Sequence, residues 1–252
     1  MNLTIAESLE SELPLIISQI ARSKGIEDYN NPYFSDPRLK KWHQYGILKH
    51  SKKVREAYLG EANDFLRQWG FYSKVEDYFK SKIGNRTKKE LFEISIPLHD
   101  LGKILCLGVL GEDRAHESQS VALMREDEIK GILTNYGLAA QQQEYLAGCV
   151  ENHEIIAKQV RRDLRHKKKF ELEYVVGEEV KQICLSVLEN NSFKVEAGLF
   201  FLCDTLGKTE IRSMEEFAKY FRQKNLNSEL QNAVRQFPIS LELAKIYLSL
   251  AL

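Results

Sequence analysis

Six histidines are spread through 252 residues, and four of them, His50, His99, His116 and His153, fall on or beside predicted helix ends. His99 is followed directly by Asp100, and Asp204 closes the apolar run Phe201-Leu202-Cys203. Imidazole and carboxylate together are ligands for Zn, Mn or Fe, and a nitrogen–oxygen set without thiolate leans toward Fe, Mn or Co over structural Zn. Neighbouring side chains on a straight helix diverge by about 100°. His99 and Asp100 can therefore serve one ion only where the backbone is distorted, and Pro97 supplies a cause for distortion. A carboxylate has two oxygens, so Asp100 can also bridge two ions.

The elements that must position these residues read as helices. Leu9, Leu13, Ile16, Ile17 and Ile20 recur at helical spacing and predict an amphipathic helix from Ala6 to about Ser23. Residues Asn30 to Pro37 read as a loop. A second helix is expected from about Tyr45 to Trp69, carrying His50, and a short one around Val75 to Lys82, ended by Gly84-Asn85. The third begins near Thr87 and runs through Leu91, Ile94, Ile96 and Leu98 to His99-Asp100, kinked at Pro97. Further helices are expected from His116 or Glu117 to about Asn135, from Ala139 through His153, and over 178–189, 194–207, 213–224 and 226–252. Residues 170–176 alternate and are rich in aromatic and β-branched types, which predicts a short strand or hairpin arm. The expectation is one all-α domain over 1–252, its metal-binding core at about 45–207.

Composition narrows the partners. Basic and acidic residues number 36 each, so global charge does not favour nucleic acid or an acidic membrane, and any phosphate recognition must be local. Apolar residues make up 43%, ample for a core. No apolar stretch approaches the roughly 18 residues of a membrane span, and the N-terminus lacks a basic region followed by an apolar one. Cys106, Cys149, Cys184 and Cys203 form no CxxC pair and sit in apolar runs, as buried reduced thiols do. The expected location is cytoplasmic.

The run Leu98-His99-Asp100-Leu101-Gly102-Lys103 resembles the signature of the HD-domain superfamily of metal-dependent phosphohydrolases. The order His50, His99-Asp100, Asp204 is similar to its H…HD…D pattern, and His116 and His153 match the two extra histidines of its dinuclear branches. The resemblance spans residues 50 to 204. It implies an all-helical bundle in which His50, His99, Asp100 and Asp204 hold a first metal, while Asp100 bridges to a second that His116 and His153 complete. It implies a cofactor of divalent transition metal, two ions of Fe or Mn, with Mg, Co, Ni or Zn as substitutes. Two such ions about 3.5–4 Å apart share a hydroxide and clamp an in-line displacement at phosphorus. Lys103 is then expected near the substrate phosphate and, with Asp100, forms the catalytic pair. The substrate implied is small and phosphorylated, nucleotide-like.

Other residues join less directly. Glu117 and Glu154, each beside a ligand histidine, are candidate partners for the second ring nitrogen. Arg161, Arg162 and Arg165 belong to a run of six cations in nine residues that follows His153; it reads either as a mouth that draws in an anionic substrate or as a solvated loop. No spacing recruits His43 or His166. The ligand order resembles that of symmetrical dinucleoside-tetraphosphatases. It departs from cyclic-di-GMP phosphodiesterases and CRISPR nucleases, because Asn152-His153 is not a histidine pair and no Gly-Tyr-Pro occurs. Two alternatives stand beside hydrolysis: a di-iron oxygenase of the inositol-oxygenase kind, whose first shell is alike, and a non-catalytic regulatory module. Residues 1–45 and 208–252 lie outside the resemblance and leave room for a partner or homodimer interface.

Overall fold

The computed structural model describes residues 3–26, 46–106, 115–163, 177–223 and 225–252. Apart from one two-stranded hairpin, the regular structure of these residues is helical. The expected loop at 30–37 and the expected strand at 170–176 lie outside the described residues.

The first helix, α1 (Ile5–Ser23), starts at a capping box: Thr4 Oγ1 accepts from Glu7 N–H and Glu7 Oε2 accepts from Thr4 N–H. The expected helix from Tyr45 to Trp69 is instead two, α2 (Ile47–Leu59) and α3 (Glu61–Gln68), broken at Gly60, whose φ and ψ of −120° and −97° are not helical. The buried positions Val54, Ala57, Tyr58, Ala62, Phe65 and Leu66 keep helical spacing straight across the break, so periodicity alone could not reveal it. Next come α4 (Tyr72–Phe79) and the hairpin, β1 (Lys82–Ile83) antiparallel to β2 (Arg86–Thr87). Gly84-Asn85 is the two-residue hairpin turn and not a helix end. Gly84 has φ +64° at the first central position, where a primed turn needs glycine.

A second capping box, Thr87 with Glu90, opens α5 (Lys88–Ser95). The helix stops before Pro97, and Ile96–Leu98 tighten into a 3₁₀ turn. The expected helix through to Asp100 with a kink at Pro97 is therefore an α-helix that ends at Ser95, ahead of the proline. The short α6 (Lys103–Leu105) follows. The expected helix 116–135 is also two, α7 (His116–Arg125) and α8 (Asp127–Asn135), separated by an extended Glu126 with ψ 145°. Then come α9 (Ala140–Asn152) and α10 (Ile155–Asp163); the latter was not anticipated, and it carries part of the cationic run on a helix. The series ends with α11 (Glu178–Glu189), α12 (Lys194–Gly207), α13 (Met214–Phe221) and α14 (Ser228–Ala251).

Helix α12 is the axis of the core. Every residue from Val195 to Gly207 is buried, and α2, α9 and α14 pack around it. A helix apolar on all sides must lie inside, and its few polar residues, Glu196 and Asp204 among them, must find partners there. Glu196 does so by accepting hydrogen bonds from Tyr78 Oη at 2.8 Å and Tyr145 Oη at 2.8 Å. Close backbone approach matters at the other end: a Cβ on Gly207 would stand 2.8 Å from the Val54 backbone nitrogen of α2. All four cysteines are buried and none is in a disulfide. No helix among the described residues is long and apolar enough to cross a membrane.

Candidate metal centre

The 3₁₀ winding that begins at Ile96 continues through the His-Asp pair. His99 N–H donates to Ile96 O, and Lys103 N–H donates to Asp100 O at 3.0 Å. In this winding residues three apart eclipse one another. Lys103 therefore stands over Asp100, with Nζ 2.7 Å from Oδ2. His99 reaches the same carboxylate sideways, Nε2 at 3.4 Å from Oδ2.

Three further helices bring the remaining histidines to Asp100. His50 of α2 places Nε2 3.6 Å from Oδ2. His116, at the start of α7, and His153, at the end of α9, place Nε2 at 3.2 and 3.8 Å from Oδ1. Three groups of potential ligand atoms result, each with its atoms within 4.8 Å of one another: His50, His99 and Asp100; Asp100, His116 and His153; and His116, Glu117 and Glu154. Asp100 belongs to the first two. Asp204 lies at the margin, Oδ1 2.9 Å from His50 Nε2 and its other oxygen paired with Lys208. All six residues are buried.

The orientation of the rings is set by backbone carbonyls. His99 Nδ1 donates to Ile96 O at 2.6 Å, His153 Nδ1 to Val150 O at 2.6 Å, and His50 Nδ1 to Gly207 O at 3.2 Å. A carbonyl can only accept, so each Nδ1 carries a proton and Nε2 of each ring is turned toward the Asp100 carboxylate. Ser120 locks α7 to the turn: its Oγ donates to His99 O and accepts from Gly102 N–H, both at 2.8 Å. Gly102 has to be glycine, since a Cβ there would run into the His116 carbonyl and lie 2.4 Å or closer to α7 backbone.

The cluster's charge state suits a ligand set. Burial pushes His99 down to about 3, with Asp100 partly opposing and His153 adding to the effect. Burial also lowers His153, helped by neighbouring His116. For Asp100, burial would raise the carboxyl, yet His99, Lys103 and His116 together hold it well below the usual carboxylate range. Burial likewise opposes ionisation of Asp204, and Lys208 and His50 overcome it. Neutral imidazole and ionised carboxylate are the forms that bind metal.

These residues fit a transition-metal ion. His99 Nε2 and Asp100 Oδ1 are buried without a hydrogen-bond partner, and such an omission costs about 1–3 kcal/mol per group. His116 Nε2 and His153 Nε2 face each other at 3.2 Å, and His50 Nε2 faces Asp204 Oδ1 at 2.9 Å. Lone pairs opposed in this way need a proton or a cation between them.

Of the residues expected to act, the structure brings together His50, His99, Asp100, Lys103, His116 and His153, with Asp204 joined through His50. Arg162 is exposed on α10; Arg161 is in the same helix; Arg165 lies outside the described residues. Lys208, four residues after Asp204, was missed, although that i,i+4 spacing at the end of a predicted helix is a signal for it. So was Ser120, which carries no motif. Comparison with protein families, with characterised proteins and with solved structures finds no match to this chain.

Proposed function

We propose that the chain is a metal-dependent phosphohydrolase of the HD type, cleaving a phosphoester or phosphoanhydride of a small nucleotide-like substrate. The observation that carries the reading is the single carboxylate, Asp100, shared by two histidine groups with an oxygen and a facing imidazole nitrogen left without hydrogen bonds. His50, His99, Asp100 and Asp204 would hold one ion; Asp100, His116 and His153 would hold the other. Ions bound there supply a Lewis acid for a phosphoryl oxygen and an acidified water. The residues themselves bind and orient. The backbone carbonyls at 96, 150 and 207 fix the rings, Lys208 keeps Asp204 ionised, and the Lys103 ammonium beside Asp100 offers a cation to an anionic substrate.

The test is turnover by Mn- or Fe-loaded protein of a panel of phosphomonoesters, phosphodiesters and dinucleoside polyphosphates. Metal-dependent phosphate or nucleotide release, lost in Asp100→Asn, is the expected result. Oxygen uptake by the iron form with no phosphoester turnover would replace the hydrolase with an oxygenase. Stoichiometric metal with neither activity would leave a regulatory module.

A further inference from the structure

Asp100 and Asp204 each give one oxygen to a lysine, and the two lysines differ in place. Lys103 is buried and stands over Asp100 inside the fold, Nζ 2.7 Å from Oδ2. Lys208, the residue after α12, reaches Asp204 Oδ2 from the solvent side, and its side chain is 29% exposed. The other Asp204 oxygen faces His50 Nε2 at 2.9 Å. The backbone that carries Lys208 is held on both flanks. Gly207 abuts α2 at Val54. Ile211 is buried, and Arg212 donates to Glu56 at 3.2 Å and to Glu61 at 2.9 Å. What is left to move is the Lys208 side chain, a compact ammonium on a flexible four-carbon stem.

We propose that Lys208 is a metal-released anion-binding residue: in the metal-free chain it neutralises Asp204, and in the loaded chain it turns outward and binds a phosphoryl oxygen on the solvent side of Asp204. The physical cause is charge sharing. With an ion on the His50 side, the single negative charge of Asp204 is divided between two cations, and its hold on the ammonium weakens. The proposal rests on the metal-centre reading above and adds to it an order of events, metal before phosphate, because the cation that the anion needs is committed to Asp204 until then. Lys103 is unsuited to this part, being buried on the same winding as Asp100. An ammonium meets phosphate as a point charge, so the ligand class is the phosphoryl oxyanion that phosphomonoesters, phosphodiesters and phosphoanhydrides share.

The experiment uses full-length protein, Mn²⁺ and inorganic phosphate. Reductive methylation of lysines, read residue by residue by mass spectrometry, follows Lys208 in the metal-free, the Mn²⁺-loaded and the Mn²⁺-plus-phosphate protein. The Lys208 rate should rise on loading and fall again with phosphate, while Lys80, 74% exposed, stays constant as the internal control. This part needs the wild type alone, so it does not depend on a variant that folds. Calorimetry then compares Lys208→Met with wild type. Removing a cation beside the site should tighten Mn²⁺ by about tenfold and weaken phosphate on the loaded protein by about 10–100-fold. Lys208→Arg should restore most of the phosphate affinity. A lysine that merely holds Asp204 in place predicts the opposite sign for the metal. Weaker Mn²⁺ in Lys208→Met, unchanged phosphate affinity in that variant, loaded wild type that takes up no phosphate, or a Lys208 rate indifferent to Mn²⁺ would each overturn the proposal and leave the metal centre intact. Wild type that binds no Mn²⁺ would overturn the metal centre itself, and the role of Lys208 with it.

Discussion

His50 and Asp204, 154 positions apart in the chain, meet at 2.9 Å between Nε2 and Oδ1. The contact joins α2 to α12 at the edge of the cluster, directly beside the close approach of Gly207 to Val54. It makes the geometry of the centre a property of the core packing, and the expected effects of substitution follow from which helix each residue holds in place.

Asp100 is common to two of the potential ligand groups, whereas His153 belongs to one. Asp100→Ala is expected to abolish binding of both ions, and His153→Ala to leave one per chain. Elemental analysis of the purified variants decides between them. Equal loss in the two would remove the bridging role.

Acid should destabilise the metal-free protein earlier than carboxylate titration alone would predict. His99 is pushed down to about 3 in the fold from an ordinary 6.5, and His153 is lowered too. A lowered folded-state value means that the unfolded chain binds protons first. The stabilisation is present above about pH 6.5 and is lost as pH falls toward 3. By pH 5.5 a neutral His99 costs on the order of 1 kcal/mol, and His153 acts in the same direction. Asp100 and Asp204, held low, add their own loss below about pH 4. Urea unfolding at pH 7.5, 6.5 and 5.5 reads the slope. A flat profile down to pH 5.5 would show that these histidines do not stay neutral in the fold.

Ser120→Ala leaves Gly102 N–H and His99 O without their shared partner. A loss of about 1–3 kcal/mol in unfolding free energy is expected, together with weaker metal retention, because α7 carries His116. Gly102→Ala should do at least as much damage, since its Cβ would run into two backbone atoms of α7, His116 O and Ser120 N. Denaturant melts with parallel metal analysis check both. A Gly102→Ala protein as stable as wild type would mean that α7 has room to move.

Ala115, just ahead of His116, is the one non-glycine residue with positive φ among the described residues, at +59°. That conformation costs an L-residue about 1–2 kcal/mol; glycine removes the strain but adds about 0.4–1 kcal/mol of unfolded-chain entropy. Ala115→Gly should therefore be neutral or slightly stabilising, and Ala115→Val clearly destabilising. Thermal melting of the pair is sufficient, and a strongly destabilised Ala115→Gly would contradict the strain.

Much of this arrangement could be read from residue types. Leu9, Leu13, Ile16, Ile17 and Ile20 announce α1, Thr87 marks where α5 begins, and Pro97 marks a distortion ahead of His99, read as a kink where the α-helix in fact ends. The helical class followed from that periodicity. The breaks at Gly60 and Glu126 did not, because burial keeps its helical phase across the first and the second carries no proline or glycine. The hairpin at 82–87 was masked by Gly84-Asn85, which suits a helix end as well as a tight turn. At the candidate centre the histidines and aspartates stood out by their order. Their convergence on Asp100 depends on carbonyls at 96, 150 and 207, and a carbonyl has no residue identity to read. Lys208 was within reach of simple spacing, while Ser120 acts through backbone atoms alone.

Burial of α12 along nearly its whole length has a temporal consequence. At translation speeds of about 5–20 residues per second, His50 emerges roughly 8–30 seconds before Asp204. Through that interval the nascent chain has no interior for α2, α9 and the His-Asp turn to wrap. Any ion caught early would meet loose histidines on a growing polypeptide. Selective loading of the proposed centre would therefore belong after synthesis, once the last helices have closed around their axis.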